Sequence, residues 1–207
     1  MSYVRFNYDH IECDIGEFPG FDELNRCRTR LLNLRLLGTD GQGVGFGNLS
    51  VREGQTNNFY ITGSGTGSLT TLSLADCARV IAYDIARNWL RCHGRIVPSS
   101  ESLSHAAIYE MDDDTGAVIH CHHQTLWRAL LHKVPTTPVT AEYGTPALGA
   151  ALQQLFRATD IRSLKIVAMA GHEGGLLTFG RNLADAFAVL QRYFNSAEPD
   201  RKYRRYL

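Results

Sequence analysis

Five of the eight histidines in this chain of 207 residues fall between His105 and His132, and the densest point is the run His120-Cys121-His122-His123. Thr115 to His122 has the Val/Ile content and length of a buried strand, and side chains alternate along a strand. His120 and His122 then project to one face, where they can hold a single ion together, while Cys121 and His123 point the other way. A third imidazole, His172, follows a second expected buried strand and stands among Gly171, Gly174 and Gly175, where little side-chain bulk would obstruct a ligand. Three neutral imidazoles with an open position describe a catalytic zinc; a closed structural site would take four protein ligands. His10, His93 and His132 are read as ordinary structural histidines. His105 lies four residues after Glu101, on the same helical face, and is read as orienting its neighbours by hydrogen bonds.

Three loops supply groups that suit an anion. Asn48 follows the alternating Gly41, Gly43, Gly45 and Gly47; Ser64 and Gly65 sit in the run Gly63-Ser64-Gly65-Thr66-Gly67; Ser99 and Ser100 stand at an expected helix start. Glycine nests and helix N-termini receive phosphate through oriented N–H groups and short hydroxyl side chains, without lysine or arginine. The chain has neither Gly-x-x-x-x-Gly-Lys-Ser/Thr nor the dinucleotide fingerprint, which argues against a nucleotide cofactor.

The elements that must position these groups interleave helices and strands. Apolar residues at Phe21, Leu24, Cys27, Leu31 and Leu34 predict a helix from Phe21 to Leu37, closed by Gly38. Leu49–Arg52 and Phe59–Thr62 read as two short strands. Ser73 to His93 fits either a helix or a pair of strands, and periodicity does not choose between them. Then come a helix over Ser100 to Tyr109, the strand ending at His122, a helix over Gln124 to Leu131, a helix over Ala147 to Arg157, strands over Ser163 to Ala170 and Gly175 to Phe179, and a closing helix over Leu183 to Phe194. Such interleaving around short connections predicts an α/β sheet covered by helices.

Composition bounds the rest. The 21 Lys+Arg balance 21 Asp+Glu, so no basic surplus points to nucleic acid or an anionic membrane. The basic run Arg201-Lys202-Tyr203-Arg204-Arg205 reads as a solvated end or an oligomer contact. The length and an apolar content of 44% suit one domain over residues 1–207, with its core at about 21–194, a short N-terminal arm and a C-terminal tail. No stretch is long and apolar enough to span a membrane, and no apolar segment follows the N-terminus as a secretory signal would require. The five scattered cysteines form no Cys-x-x-Cys pair and read as reduced thiols of a cytoplasmic protein.

Taken in order, Gly47-Asn48-Leu49-Ser50-Val51-Arg52, Ile61-Thr62-Gly63-Ser64-Gly65, Pro98-Ser99-Ser100-Glu101 with His105 and Tyr109, His120-Cys121-His122 and Gly171-His172 resemble the class II aldolase/adducin family. The resemblance spans roughly residues 21–194. It implies an α/β/α sandwich around a mainly antiparallel, mixed sheet, the strand reading of Arg79 to Cys92, and a cyclic homotetramer with active sites at subunit interfaces. Carried over position by position, it implies that His120, His122 and His172 bind Zn²⁺ or another divalent metal. Glu101 becomes the catalytic acid/base, while Asn48, Ser64, Gly65, Ser99 and Ser100 bind the phosphate of a small sugar phosphate. The implied reaction is aldol cleavage of a phosphorylated ketose to glycerone phosphate and an aldehyde. A sugar-phosphate dehydratase and an epimerase are the alternatives, although epimerases carry Asp where Glu101 stands, and an adducin-like interaction module is the non-enzymatic one. Two features depart from the family pattern. The run His172-Glu173-Gly174-Gly175 adds a carboxylate beside a metal histidine, and the tyrosine that fuculose phosphate aldolase takes from a neighbouring subunit has no clear counterpart. Tyr143, Tyr203, Tyr206 and Glu173 are the candidate proton donors in its place.

Overall fold

Several strands of this chain are buried along nearly their whole length, and a strand buried on both faces must be sandwiched between helices. The computed structural model describes residues 4–41 and 43–197. In chain order the elements are β1 (Asn7–Glu12), α1 (Phe21–Asn33), β2 (Gly38–Thr39), β3 (Gly45–Phe46), β4 (Asn48–Arg52), β5 (Phe59–Thr62), β6 (Cys77–Asp84), β7 (Trp89–Gly94), α2 (Ser102–Met111), β8 (Ala117–His122), α3 (Gln124–Leu130), β9 (Thr136–Thr137), α4 (Pro146–Ala158), α5 (Ile161–Leu164), β10 (Ile166–Met169), β11 (Gly175–Gly180) and α6 (Leu183–Ala197).

Nine of these strands form one mixed sheet in the order β1-β7-β6-β5-β4-β8-β11-β10-β9, and β2 pairs with β3 in a separate hairpin. Only the outermost pairings of the large sheet, β1 with β7 and β9 with β10, are parallel. The chain is thus the α/β/α sandwich with a mainly antiparallel sheet that its motifs implied. Alternation along β8 divides the core: Ala117, Ile119 and Cys121 pack with Leu24 and Leu31 of α1 and Phe187 and Leu190 of α6. Val118, on the other face, packs with Ile108 of α2 and Leu148 and Leu152 of α4. Each Leu, Ile, Val or Phe among them contributes about 1.5–3 kcal/mol by leaving water. Among the described residues, no helix is long and apolar enough to cross a membrane.

Two boundaries differ from the sequence expectation, and one open stretch is resolved as the resemblance implied. Helix α1 stops at Asn33, because Arg35, not Gly38, takes the left-handed position and the Leu36 N–H returns to the Leu31 carbonyl at 2.9 Å. Strand β10 begins at Ile166, after the short helix α5 and a left-handed Lys165. The ambiguous stretch forms the antiparallel pair β6 and β7. The N-terminal arm adds β1 alongside β7 in parallel register, an element without a signal in its own residues.

Candidate metal centre

The end of β8 and the turn between β10 and β11 bring three imidazoles together. His122 Nε2 lies 3.1 Å from His120 Nε2 and 2.9 Å from His172 Nε2. His120 Nδ1 is 3.1 Å from the Leu176 carbonyl, which can only accept, so this nitrogen carries the proton and Nε2 turns its lone pair to the cluster. Burial lowers His122 to about 4 and His172 to about 3, with the charges of His122 and Arg5 adding to the latter. Burial also holds His120 well below its ordinary value. All three are therefore neutral near pH 7, as metal ligands must be. In a tetrahedral zinc site with ordinary Zn–N lengths the donors stand about 3.3 Å apart. Among the described residues this is the one group of three potential ligands whose donor atoms lie within 4.8 Å of one another. The set fits a divalent metal. Cys121 points into the opposite core, and His123 caps α3 by accepting from the Leu126 N–H at 3.1 Å.

His172 is held by its turn: its N–H reaches the Met169 carbonyl at 3.1 Å, and the Gly175 N–H reaches back to its own carbonyl at 2.8 Å. Gly171, just before it, has no room for a side chain, since a Cβ there would sit 2.4 Å from the Ala141 oxygen. That close approach carries Tyr143 over the ring of His172, with centroids 4.5 Å apart.

Glu101 enters at the N-terminus of α2 and is buried. Its Oε2 accepts from Ser104 Oγ at 2.7 Å, while Oε1 has no partner and lies 3.8 Å from His172 Nε2. Burial raises the carboxyl to about 7, against the opposing Ser104 hydrogen bond and Arg5 charge. A carboxyl near neutrality can both take and give a proton. One turn along, buried His105 hydrogen-bonds Ser50 Oγ through Nδ1 at 2.7 Å, and Ser50 Oγ also meets Tyr109 Oη at 2.7 Å.

A cavity of about 550 Å³ joins these groups to the three loops: Asn48, Ser64, Gly65, Ser99, Ser100, Glu101, His120, His122, Tyr143, His172 and Glu173 all line it. The loops offer less backbone than the sequence suggested. The Ser64 and Ser99 N–H groups bond the carbonyls of Val97 and Thr62 at 2.9 and 3.2 Å, holding the two loops side by side. Hydroxyls are what these serines have left for a ligand. Glu173 is exposed at the rim, its Oε1 accepting from Gln124 Nε2 at 2.5 Å. Tyr203, Tyr206 and the basic run lie outside the described residues.

Sequence reasoning missed the residues that hold these parts in place. Buried Arg28 of α1 donates to the Thr66 and Leu69 carbonyls, the latter at 2.6 Å, and so anchors the loop that follows Ser64 and Gly65. Its signal was available, because a charged residue four after Leu24 and three before Leu31 falls on the apolar stripe. Asp40, beside the β2–β3 hairpin, also lines the cavity and had no such signal.

Comparison with known proteins agrees with this fold. Residues 33–198 match the family described as Class II Aldolase and Adducin N-terminal domain. No curated protein sequence matches the chain. Among solved structures, an L-fuculose 1-phosphate aldolase is similar with a TM-score of 0.65 and 23% identity, covering 89% of this chain and 85% of the other. A sugar-phosphate aldolase from Thermotoga maritima follows at 0.64 and 17%, covering 86% and 92%. The L-fuculose-1-phosphate aldolase from Thermus thermophilus gives 0.60 and 17%, covering 86% and 91%. At these identities the likeness speaks for the fold.

Proposed function

The chain belongs to the family of class II aldolases and adducin N-terminal domains, and on that premise we propose that it is a metal-dependent lyase. The proposed reaction is reversible aldol cleavage of a small phosphorylated ketose to glycerone phosphate and an aldehyde. The observation that carries this reading is the meeting, in one cavity, of three neutral imidazoles with a buried carboxyl raised to about 7. His120, His122 and His172 would hold the metal. When bound, a divalent ion such as Zn²⁺ supplies Lewis acidity toward the carbonyl and hydroxyl oxygens of the ketose.

The chain's own groups account for the remaining work. Glu101 receives the proton that the hydroxyl of the aldehyde half gives up as the carbon–carbon bond breaks, and returns it to the reacting carbon of the glycerone half. The free Oε1 is the atom for that transfer, since Oε2 is fixed by Ser104. Hydroxyls of Ser64, Ser99 and Ser100 and the amide of Asn48, with the turn at Gly65, would bind the phosphate in the same cavity. No lysine or arginine lines the cavity among the described residues, so a phosphate bound there would rely on these neutral donors. Tyr143 adds a hydroxyl-bearing ring beside His172. A homotetramer is part of the same proposal, to be checked by sedimentation.

The deciding experiment incubates the zinc-loaded protein with a panel of ketose phosphates, and with aldehydes plus glycerone phosphate, reading cleavage, epimerisation and dehydration products together. Cleavage products with at least one ketose phosphate are expected. Dehydration or epimerisation without cleavage would replace the aldolase reading, and a folded protein that retains no metal would remove the metal-dependent one.

A further inference from the structure

Residues 4–32 lie outside the family match, which begins at residue 33, yet Arg5 among them reaches the tyrosine that covers the metal centre. Arg5 sits just before β1, with its guanidinium carbon 3.8 Å from the centroid of the Tyr143 ring. Tyr143 in turn covers His172, with ring centroids 4.5 Å apart and planes inclined by 36°. A single stack therefore runs from the N-terminal arm through Tyr143 to one of the three imidazoles. The guanidinium is near enough for its charge to act on both Glu101 and His172.

The contact is built in from several sides. Asn88, in the turn between β6 and β7, donates from Nδ2 to the Arg5 carbonyl at 2.8 Å and to the Gly144 carbonyl at 3.3 Å, tying the arm to the loop that carries Tyr143. Gly144 is left-handed, and a Cβ there would stand 2.6 Å from Arg5 Cβ, so the arm crosses at a point where only glycine leaves it room. Arg5 Nη1 also approaches the Tyr143 carbonyl at 3.5 Å and Glu142 Oε2 at 3.8 Å. Pairing of β1 with β7 over six residues keeps the arm in register behind this contact.

We propose that Arg5 is a positioning residue of the active site: acting through Tyr143, it fixes that ring against His172, so the N-terminal arm supports from behind a wall of the cavity that the family-matched segment supplies. The kinetic consequence rests on the aldolase reading, but the geometric one does not. A guanidinium over an aromatic face restrains ring position as well as adding attraction, and Tyr143 is the residue of this loop that lines the cavity beside His172.

The test uses the full chain in its metal-free form and reads the imidazole resonances of His172 and His120 by NMR, because a ring 4.5 Å from His172 sets its chemical shift. Arg5→Met keeps the length of the side chain and removes the cation; it should displace the His172 signals while those of His120 hold. Arg5→Lys keeps a cation without the plane and should displace them less, and it serves if the Met variant does not fold. Arg91→Ala breaks the Arg91–Asp9 ion pair between β7 and β1, and should leave both histidines unmoved. His172 signals that stay in place in the folded Arg5 variants, or that move equally in Arg91→Ala, overturn the proposal. With a substrate in hand, Arg5→Met should lower kcat by roughly two- to five-fold with KM little changed, the scale of one cation–π contact at a half-exposed site. A chain without lyase activity that still shows the selective His172 displacement removes the aldolase reading and supports the stack.

Discussion

Glu101 and His105 occupy successive turns of one buried helix, and the same loss of water acts on them in opposite directions. It raises the carboxyl to about 7 and lowers the imidazole to about 3, because burial disfavours whichever form is charged. The consequence is a division of labour. His105, locked to Ser50, stays neutral and structural, while Glu101 keeps one oxygen without a partner and a proton affinity suited to exchange at neutral pH. Replacing Glu101 with Gln preserves shape but removes the exchangeable proton. We expect Glu101→Gln to retain its metal and lose about 10²–10⁴ in turnover, along with solvent-hydrogen exchange into glycerone phosphate; exchange at the wild-type rate would move the role elsewhere, with Glu173 first in line. Neighbouring positions on β8 give a second residue-scale prediction. His122→Ala should abolish metal retention, whereas Cys121→Ala, on the opposite face, should leave metal content unchanged, as metal analysis of the two purified variants will show. The reverse ranking would mean the strand register is wrong by one residue.

Strand β4 explains how the helix bearing Glu101 is held at the site. Its alternate residues Asn48, Ser50 and Arg52 share the face toward α2. Asn48 lines the cavity, Ser50 bonds His105 and Tyr109, and Arg52 donates to the Tyr109 carbonyl and, at 3.0 Å, to the Asp112 carbonyl at the helix end. Removing the buried guanidinium takes a charged donor from both carbonyls, of which the Asp112 carbonyl keeps the Thr115 N–H at 3.1 Å, and hydrogen bonds from a charged donor are worth about 1.5–3 kcal/mol each. Arg52→Met should therefore cost about 2–3 kcal/mol in urea unfolding and reduce turnover through Glu101 while sparing metal content; a loss of metal equal to the loss of turnover would contradict this division. The same strand shows what could be read in the sequence. Alternation is a local property, so the pairing of His120 with His122 was legible, as were the helices with long apolar stripes. The ends of elements were not. Helix α1 looked longer because Leu34, Leu36 and Leu37 continue the apolar run, but the Leu36 carbonyl is required by the His122 N–H at 3.0 Å, a contact only the folded chain defines. Strand β1 is exposed along most of its length and carries no apolar alternation, so its only determinant is the distant edge of β7. Arg5 and Arg28 likewise act on loops far away in the chain, and only Arg28 left a trace, by standing on an apolar stripe.

At the scale of the molecule, the site is a reservoir of buried neutral histidine, and this makes stability depend on pH. His105, His120, His122 and His172 all carry pKa values lowered by burial, to about 3 for His105 and His172 and about 4 for His122, from an ordinary value of 6.5. Between those values the unfolded chain takes up protons that the folded chain refuses, so the unfolded state binds more protons and stability rises with pH. Each histidine then contributes fully above about pH 6.5 and loses its contribution as pH falls toward about 4, at up to about 1.4 kcal/mol per pH unit. Glu101 has the opposite sign. Its folded pKa of about 7 exceeds the ordinary 4.5, so in that window it favours the folded state as acid is added, offsetting one histidine of the four. Urea unfolding of the metal-free protein should therefore show a steep loss of stability from about pH 6.5 downward, and a protein whose stability is flat or rises on acidification over that range would contradict the buried neutral cluster. Bound zinc should sharpen the contrast, since it would need neutral imidazoles that exist as a set only in the folded chain: at a thousandfold excess over its Kd it would add about 4 kcal/mol. Protons and metal compete for the same nitrogens, so that increment should itself shrink as pH falls, and in His122→Ala it should vanish at every pH while the acid-dependent loss becomes shallower by the share of one histidine.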